Sequence, residues 1–119
     1  MGFVATVAAV VTALEAGGVP AASAMADLNP PAVLVTPTAL VSPTKLCGTG
    51  SLRMILDLTA RDSGDASALA QLEDMYALVE PLFRRYSTGD PSTFTRAPVS
   101  ADPTALPVLR IAIETPIVD

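Results

Sequence analysis

Eleven prolines fall within 119 residues, at positions 20, 30, 31, 37, 43, 81, 91, 98, 103, 107 and 116, and they leave few intervals where a helix can run unbroken. Most of those intervals read as strands. Residues 52–59 alternate cleanly, with Leu52, Met54, Leu56 and Leu58 on one side and Arg53, Ile55, Asp57 and Thr59 on the other. Leu109, Ile111 and Ile113 repeat the pattern near the C-terminus, opposed by Arg110, Ala112 and Glu114, in a strand expected to stop before Pro116. Residues 32–36 form a β-branched run after Pro30-Pro31, and residues 39–41 either extend it or pair back across Thr36-Pro37. A weaker strand is expected over 94–99, cut by Pro98.

Two intervals carry a helical rhythm instead. Phe3, Val7, Val10 and Leu14 make one stripe, closed by Gly17-Gly18 and by Val19-Pro20, which cannot continue a helix. Leu69, Leu72, Tyr76, Val79 and Phe83 make a second stripe, with Asp65 as the expected N-cap. Pro81 lies inside that second pattern, so residues 82–86 are expected to form an altered last turn, with Arg84-Arg85 at the negative end of the helix dipole.

These elements predict one α+β domain over residues 1–119: a mostly antiparallel sheet of three to five strands with two helices packed on one face. The other face keeps Ile55, Val108 and Ala112, and the sheet keeps open edges, which association with further copies would cover. Arg53 and Arg110 are expected to pair with Asp57 and Glu114 on the less apolar side of their strands. Half of the residues are hydrophobic, which is rich for a monomer of this length.

The chemistry open to the chain is narrow. It has no histidine, and Cys47 is its one thiol, so it cannot by itself supply a Ser-His-Asp triad, a Cys-His dyad, a disulfide framework or a Cys/His zinc cage. Seven basic against twelve acidic side chains give a formal charge of −5, which disfavours tight binding to nucleic acid. Cys47-Gly48-Thr49-Gly50 has the look of an anion-binding loop but lacks the Gly-Lys-Ser/Thr ending and the following helix, and a hairpin turn is the expected reading. Asp57, Asp62 and Glu114 are the obvious carboxylates for an enzyme, yet no second group stands at a spacing that would tune them. No catalytic, cofactor-binding or metal-binding residue is therefore assigned, and a non-enzymatic role is expected.

The N-terminus has the outline of a secretory signal peptide, an uncharged apolar run followed by Ala24-Met25-Ala26, but no Lys or Arg precedes Lys45 and Glu15 interrupts it. The amphipathic helix accounts for more of these residues, and the run is too short to span a bilayer. A small secreted protein with an atypical signal peptide, beginning near Asp27, is one alternative.

The order of elements resembles that of the tail terminator proteins of long, non-contractile-tailed bacteriophages, here of the type found with GC-rich hosts. The likeness is carried by the N-terminal helix running into Gly17-Gly18-Val19-Pro20, the run Pro30-Pro31-Ala32-Val33-Leu34-Val35, the strand over 52–62, the helix from Asp65, and the closing stretch from Leu106 to Pro116. It covers most of the chain and rests on pattern, with no invariant motif. It implies a virion structural protein that assembles in the host cytoplasm as a homo-oligomeric ring, expected to be a hexamer, at the head-tail interface. Its implied partners are other copies of itself, the major tail tube protein and a head-completion or connector protein. DNA would pass through the lumen without specific binding, and neither a cofactor nor a membrane is implied. A neighbouring neck protein, a stopper or completion subunit, is the other alternative. Axial contacts are expected from the loops over 37–50 and 88–103, and interface roles are assigned to Leu46, Arg53, Arg84 and Arg85.

Overall fold

In the computed structural model the described residues are 2–24, 31–41, 50–61, 64–97 and 106–117. Helix α1 (Phe3–Ala16) leads into a two-residue strand β1 (Ala21–Ala22), then β2 (Ala32–Val41) and β3 (Ser51–Thr59). Helix α2 (Asp65–Phe83) follows, tightening into a 3-10 turn (Arg84–Tyr86), before β4 (Thr93–Ala97) and β5 (Leu106–Pro116). The strands form one five-stranded sheet in the order β1-β2-β3-β5-β4. Only the short β1 to β2 pairing is parallel, so the expected α+β architecture with two helices on a mostly antiparallel sheet is the one found.

Alternation fixes which side the helices cover. Across the sheet, Val33, Leu58 and Leu109 lie in one row and Val35, Leu56 and Ile111 in the next; all are buried in the helix-side core except Ile111, which is partly buried and packs against it. Both helices press onto these rows: Val10 and Leu14 from α1, and Leu72, Met75, Val79 and Phe83 from α2, are buried in the same cluster. At roughly 1.5–3 kcal/mol for each large apolar side chain removed from water, α2 is a principal contributor to that core.

The end of α1 shows how local sequence sets the chain path. Gly18 adopts φ +88°, its N–H donates to the Glu15 carbonyl at 3.0 Å, and the Val19 N–H donates to the Leu14 carbonyl at 2.9 Å. Those two bonds satisfy the last carbonyls of the helix, and the left-handed backbone they need suits glycine. Val19 and Leu14 are both buried, so the turn is fixed by packing as well.

Of the two readings for residues 39–41, extension is the one found: β2 runs through Pro37, with a shift in register between Pro37 and Ala39. β2 is bonded to β1 only at Val33 and Leu34, so Pro37 sits where the strand is an edge and a missing donor is tolerated. β4 (Thr93–Ala97) covers the described part of the strand expected over 94–99, and residues 98 and 99 lie outside the described residues. Other expectations need correction: β5 includes Pro116. Asp65 is the first residue of α2, preceded by Gly64 at φ +101°, and is not its N-cap. The α-helix also continues past Pro81 to Phe83 before the altered last turn begins.

The buried stripes are rotated from those expected. In α2 the core side chains are Ala68, Leu72, Met75, Val79 and Phe83, whereas Leu69 and Tyr76 are exposed. In α1 Thr6 replaces Phe3 in the buried row, its hydroxyl donating to the Gly2 carbonyl at 2.6 Å. On the far side of the sheet Val108 is buried in a second small cluster with Ala22, Ala32 and Leu34, so only Ile55 and Ala112 of the expected apolar trio stay partly open.

Candidate functional site

The outer face of the sheet carries two ordered ion pairs. Asp57 and Arg110 are direct cross-strand neighbours, as are Arg53 and Glu114. Arg110 donates from Nε to Asp57 Oδ1 at 2.9 Å and from Nη2 to Oδ2 at 3.4 Å, and Arg53 Nε donates to Glu114 Oε1 at 2.9 Å. The two arginines therefore pair with the two expected carboxylates, and both contacts are cross-strand: Arg53 with Glu114 and Arg110 with Asp57. Each arginine is held above its ordinary pKa, first by the hydrogen bond to its carboxylate and then by the carboxylate's charge. Asp57 and Glu114 are thus engaged as ion-pair partners, and Asp62 lies outside the described residues.

Of the four residues assigned to an interface, Leu46 lies outside the described residues. Arg53 sits mid-sheet on the outer face, and the other two sit at the end of α2. Arg84 grips Glu80 one helical turn back through two hydrogen bonds, both 2.7 Å, which lower the Glu80 pKa below its ordinary 4.5. Arg85 places its guanidinium carbon 5.2 Å from the centre of the Tyr86 ring, a cation-π contact within the chain. All three arginines that can be placed are occupied by neighbours in their own chain. The two loops expected to make axial contacts are partly strand, since β2 takes 37–41 and β4 takes 93–97.

The surface that stands out is apolar and lies at the margins of the sheet. Between α2 and β4 a cleft of about 420 Å³ is lined by Leu69, Leu72, Tyr76, Phe94 and Leu109, with Glu73 its one charged side chain. Phe94 is 66% exposed and Leu69 55%, on an edge strand and a helix face that nothing among the described residues covers. At the opposite margin, Phe3, Val4, Val7 and Pro37 border a second apolar depression of about 310 Å³ between α1 and β2. Val4 is 85% exposed there, and Leu40 and Val41 continue the exposed apolar row along β2.

A third recess, of about 270 Å³, lies where α1, α2 and the end of β5 meet, beside Val10, Phe83 and Thr115. The Thr115 hydroxyl is buried there without a hydrogen-bond partner among the described residues. Among the described residues no three His, Cys, Asp or Glu side chains gather closely enough to hold a metal ion. No helix among them is long and apolar enough to cross a membrane.

Sequence reasoning placed Leu69, Tyr76 and Phe3 in the core and gave Val4 and Phe94 no role. Two stripes at three-four spacing are available in α2, and Leu69 with Tyr76 is the more apolar-looking choice against Ala68 with Met75. The choice is made by how α2 packs on the sheet, which the sequence of α2 does not contain. In sequence comparison the chain matches no protein-family profile and no curated protein.

Proposed function

We propose that this chain is a ring-forming structural subunit at the head-proximal end of a long, non-contractile phage tail, where it stops growth of the tail tube and receives the head connector. The observation that carries this reading is the pair of apolar margins on opposite edges of a two-layer tile. An exposed, uncovered edge strand flanked by large apolar side chains is a liability for a solitary domain and an asset for one that assembles. The elements on which the resemblance to tail terminators rests, the N-terminal helix, the strand after Pro30-Pro31, the strand from Leu52, the helix from Asp65 and the closing strand, correspond to α1, β2, β3, α2 and β5. Its action would be mechanical: one ring face docks on the last layer of tube and the other meets the connector, with no bond made or broken. Six copies of a chain with net charge −5 would give a strongly acidic ring, which disfavours retention of passing DNA.

The test is tube polymerisation with the tail tube protein encoded beside this chain, followed by electron microscopy. The expected result is shorter tubes, each bearing a ring at one end. Tubes of unchanged length with bare ends, at a concentration where the chain is in excess, would overturn the proposal.

A further inference from the structure

The four charged side chains on the outer face of the sheet form a checkerboard. On β3, Arg53 and Asp57 lie four residues apart; on β5, Glu114 stands beside Arg53 and Arg110 beside Asp57. Positive and negative therefore alternate both along and across the strands. Between the two rows sit Ile55 and Ala112, themselves direct neighbours and only partly buried. Both helices pack on the other side, so among the described elements none covers this group.

We infer that two copies of this chain pair through this face, around a two-fold axis running along the strands between β3 and β5, so that Arg53 of each copy meets Glu114 of the other. A face-to-face rotation about that axis exchanges the two strands and leaves each row in place. Every charge then faces its opposite, Arg53 against Glu114 and Asp57 against Arg110, in both directions. An axis across the strands would also match signs, but it would aim Arg53 at Asp57, whose side chain is 8% exposed. The axis along the strands brings together Arg53 and Glu114, at 51% and 32%, the pair open enough to reach a second partner.

Charge also selects a second copy as the occupant. The four side chains sum to zero, so the formal −5 of the chain is carried by the rest of it. Two acidic copies repel on most approaches, and they meet without net repulsion through a neutral face whose pattern is its own complement. Asp90 also acts on Arg53, more weakly than Glu114 does. Shape agrees with charge, because the same rotation sets the larger Ile55 of each copy against the small Ala112 of the other. Stacked sheets align to within about 30°, which an axis slightly inclined to the strands provides. Two strands carry the contact, so it is a small interface of the transient kind. It uses the sheet face, whereas the ring proposed above uses the margins, and the two stand or fall separately.

The experiment uses two full-length variants, Arg53→Glu and Glu114→Arg. Alone, each sets like charges against each other, and the two-fold axis makes that happen twice in every pair. Mixed, the introduced carboxylate of one faces the introduced guanidinium of the other. Circular dichroism melting checks that both variants fold, and sedimentation velocity at low salt reads association up to about 1 mM chain. The wild type is expected to form dimers that salt weakens, and each variant alone to lose about tenfold or more in Kd. The equimolar mixture is expected to recover the dimer. Such rescue is peculiar to a contact in which position 53 of one copy faces position 114 of the other. A dilution series of the wild type followed by NMR needs no substitution, and the amides of Arg53, Ile55, Ala112 and Glu114 should shift most.

A wild type that stays monomeric, variants that pair as the wild type does, a mixture that pairs no better than its components, or amide shifts confined to other surfaces would each overturn the inference. Dimers that never grow into closed rings, even with tail tubes present, would uphold this contact and overturn the function proposed above. Closed rings whose amide shifts spare this face would overturn this contact alone.

Discussion

Arg110 reaches across the β3–β5 ladder to hold Asp57 with both ends of its guanidinium, 2.9 Å from Oδ1 and 3.4 Å from Oδ2. The side chain of Asp57 is only 8% exposed while that of Arg110 is 42% exposed, so the carboxylate is the partner that depends on the pair. Removing Arg110 leaves a buried anion with nothing to replace the lost donors. Removing both charges restores an apolar surface between Leu34 and the β5 strand.

Arg110→Met is therefore expected to destabilise the fold by about 1–3 kcal/mol, the lower part of the range for broken buried pairs because water reaches the guanidinium. The double variant Asp57→Leu/Arg110→Met should recover most of that loss. Urea denaturation midpoints of the two variants and the wild type check this, and a double variant worse than Arg110→Met would refute it. Arg53→Ala, which breaks the more exposed pair, is expected to leave the midpoint unchanged.

The rotated stripe of α2 makes a contrast testable by truncation. Leu72→Ala removes a buried side chain from the helix-side core and should cost about 2–4 kcal/mol. Leu69→Ala, only three positions earlier but exposed, should change stability by less than about 0.5 kcal/mol. Equal losses at the two positions would show that the helix face had been assigned wrongly.

Gly50 immediately precedes β3 and lies against the end of β2. A Cβ placed there would stand 2.9 Å from the Val41 carbonyl oxygen, which is backbone and cannot swing aside. Gly50→Ala is thus expected to lower stability by about 1–3 kcal/mol through forced displacement of the strand. The same substitution at Gly17 meets Leu82 Cδ1 at 2.7 Å, the end of a flexible side chain, and should be milder. Thermal melts of the two variants compare them directly.

The Glu80–Arg84 pair sets a pH dependence in the last turn of α2. Because the hydrogen bond from Arg84 holds the folded Glu80 pKa below 4.5, the pair's contribution is fully present above that value and is lost as pH falls through the lower folded value. Carbon-detected NMR titration should place the Glu80 midpoint below 4.5, and Arg84→Gln should return it towards 4.5. An unshifted midpoint in the wild type would contradict the contact.

Much of this architecture is legible in the chain because alternation and helical spacing are local properties. β3 and β5 could be read face by face, and with them the two carboxylates that Arg53 and Arg110 use, whereas which arginine takes which is set by the register between the strands. The glycine stop after α1 was legible for the same reason. What could not be read are properties of assembly between elements. Two-residue β1 has no periodicity to detect, and Pro37 looks like a break until β2 is known to be an edge there. Leu69 and Tyr76 look like core residues until the packing of α2 is seen to bury Ala68 and Met75 in their place. The residues at the margins were missed because what marks them is a vacancy beside them, and a vacancy is not written in any one segment.

The break in register between Pro37 and Ala39 bears on how far copies of this molecule can accumulate. An unbroken row of backbone donors and acceptors would invite endless strand-upon-strand stacking, of the kind that ends in fibres. Proline contributes no donor, and the irregular step beside it spoils the spacing of those that remain. Attachment along that border must then be decided by the fit of side chains, which is selective and can finish.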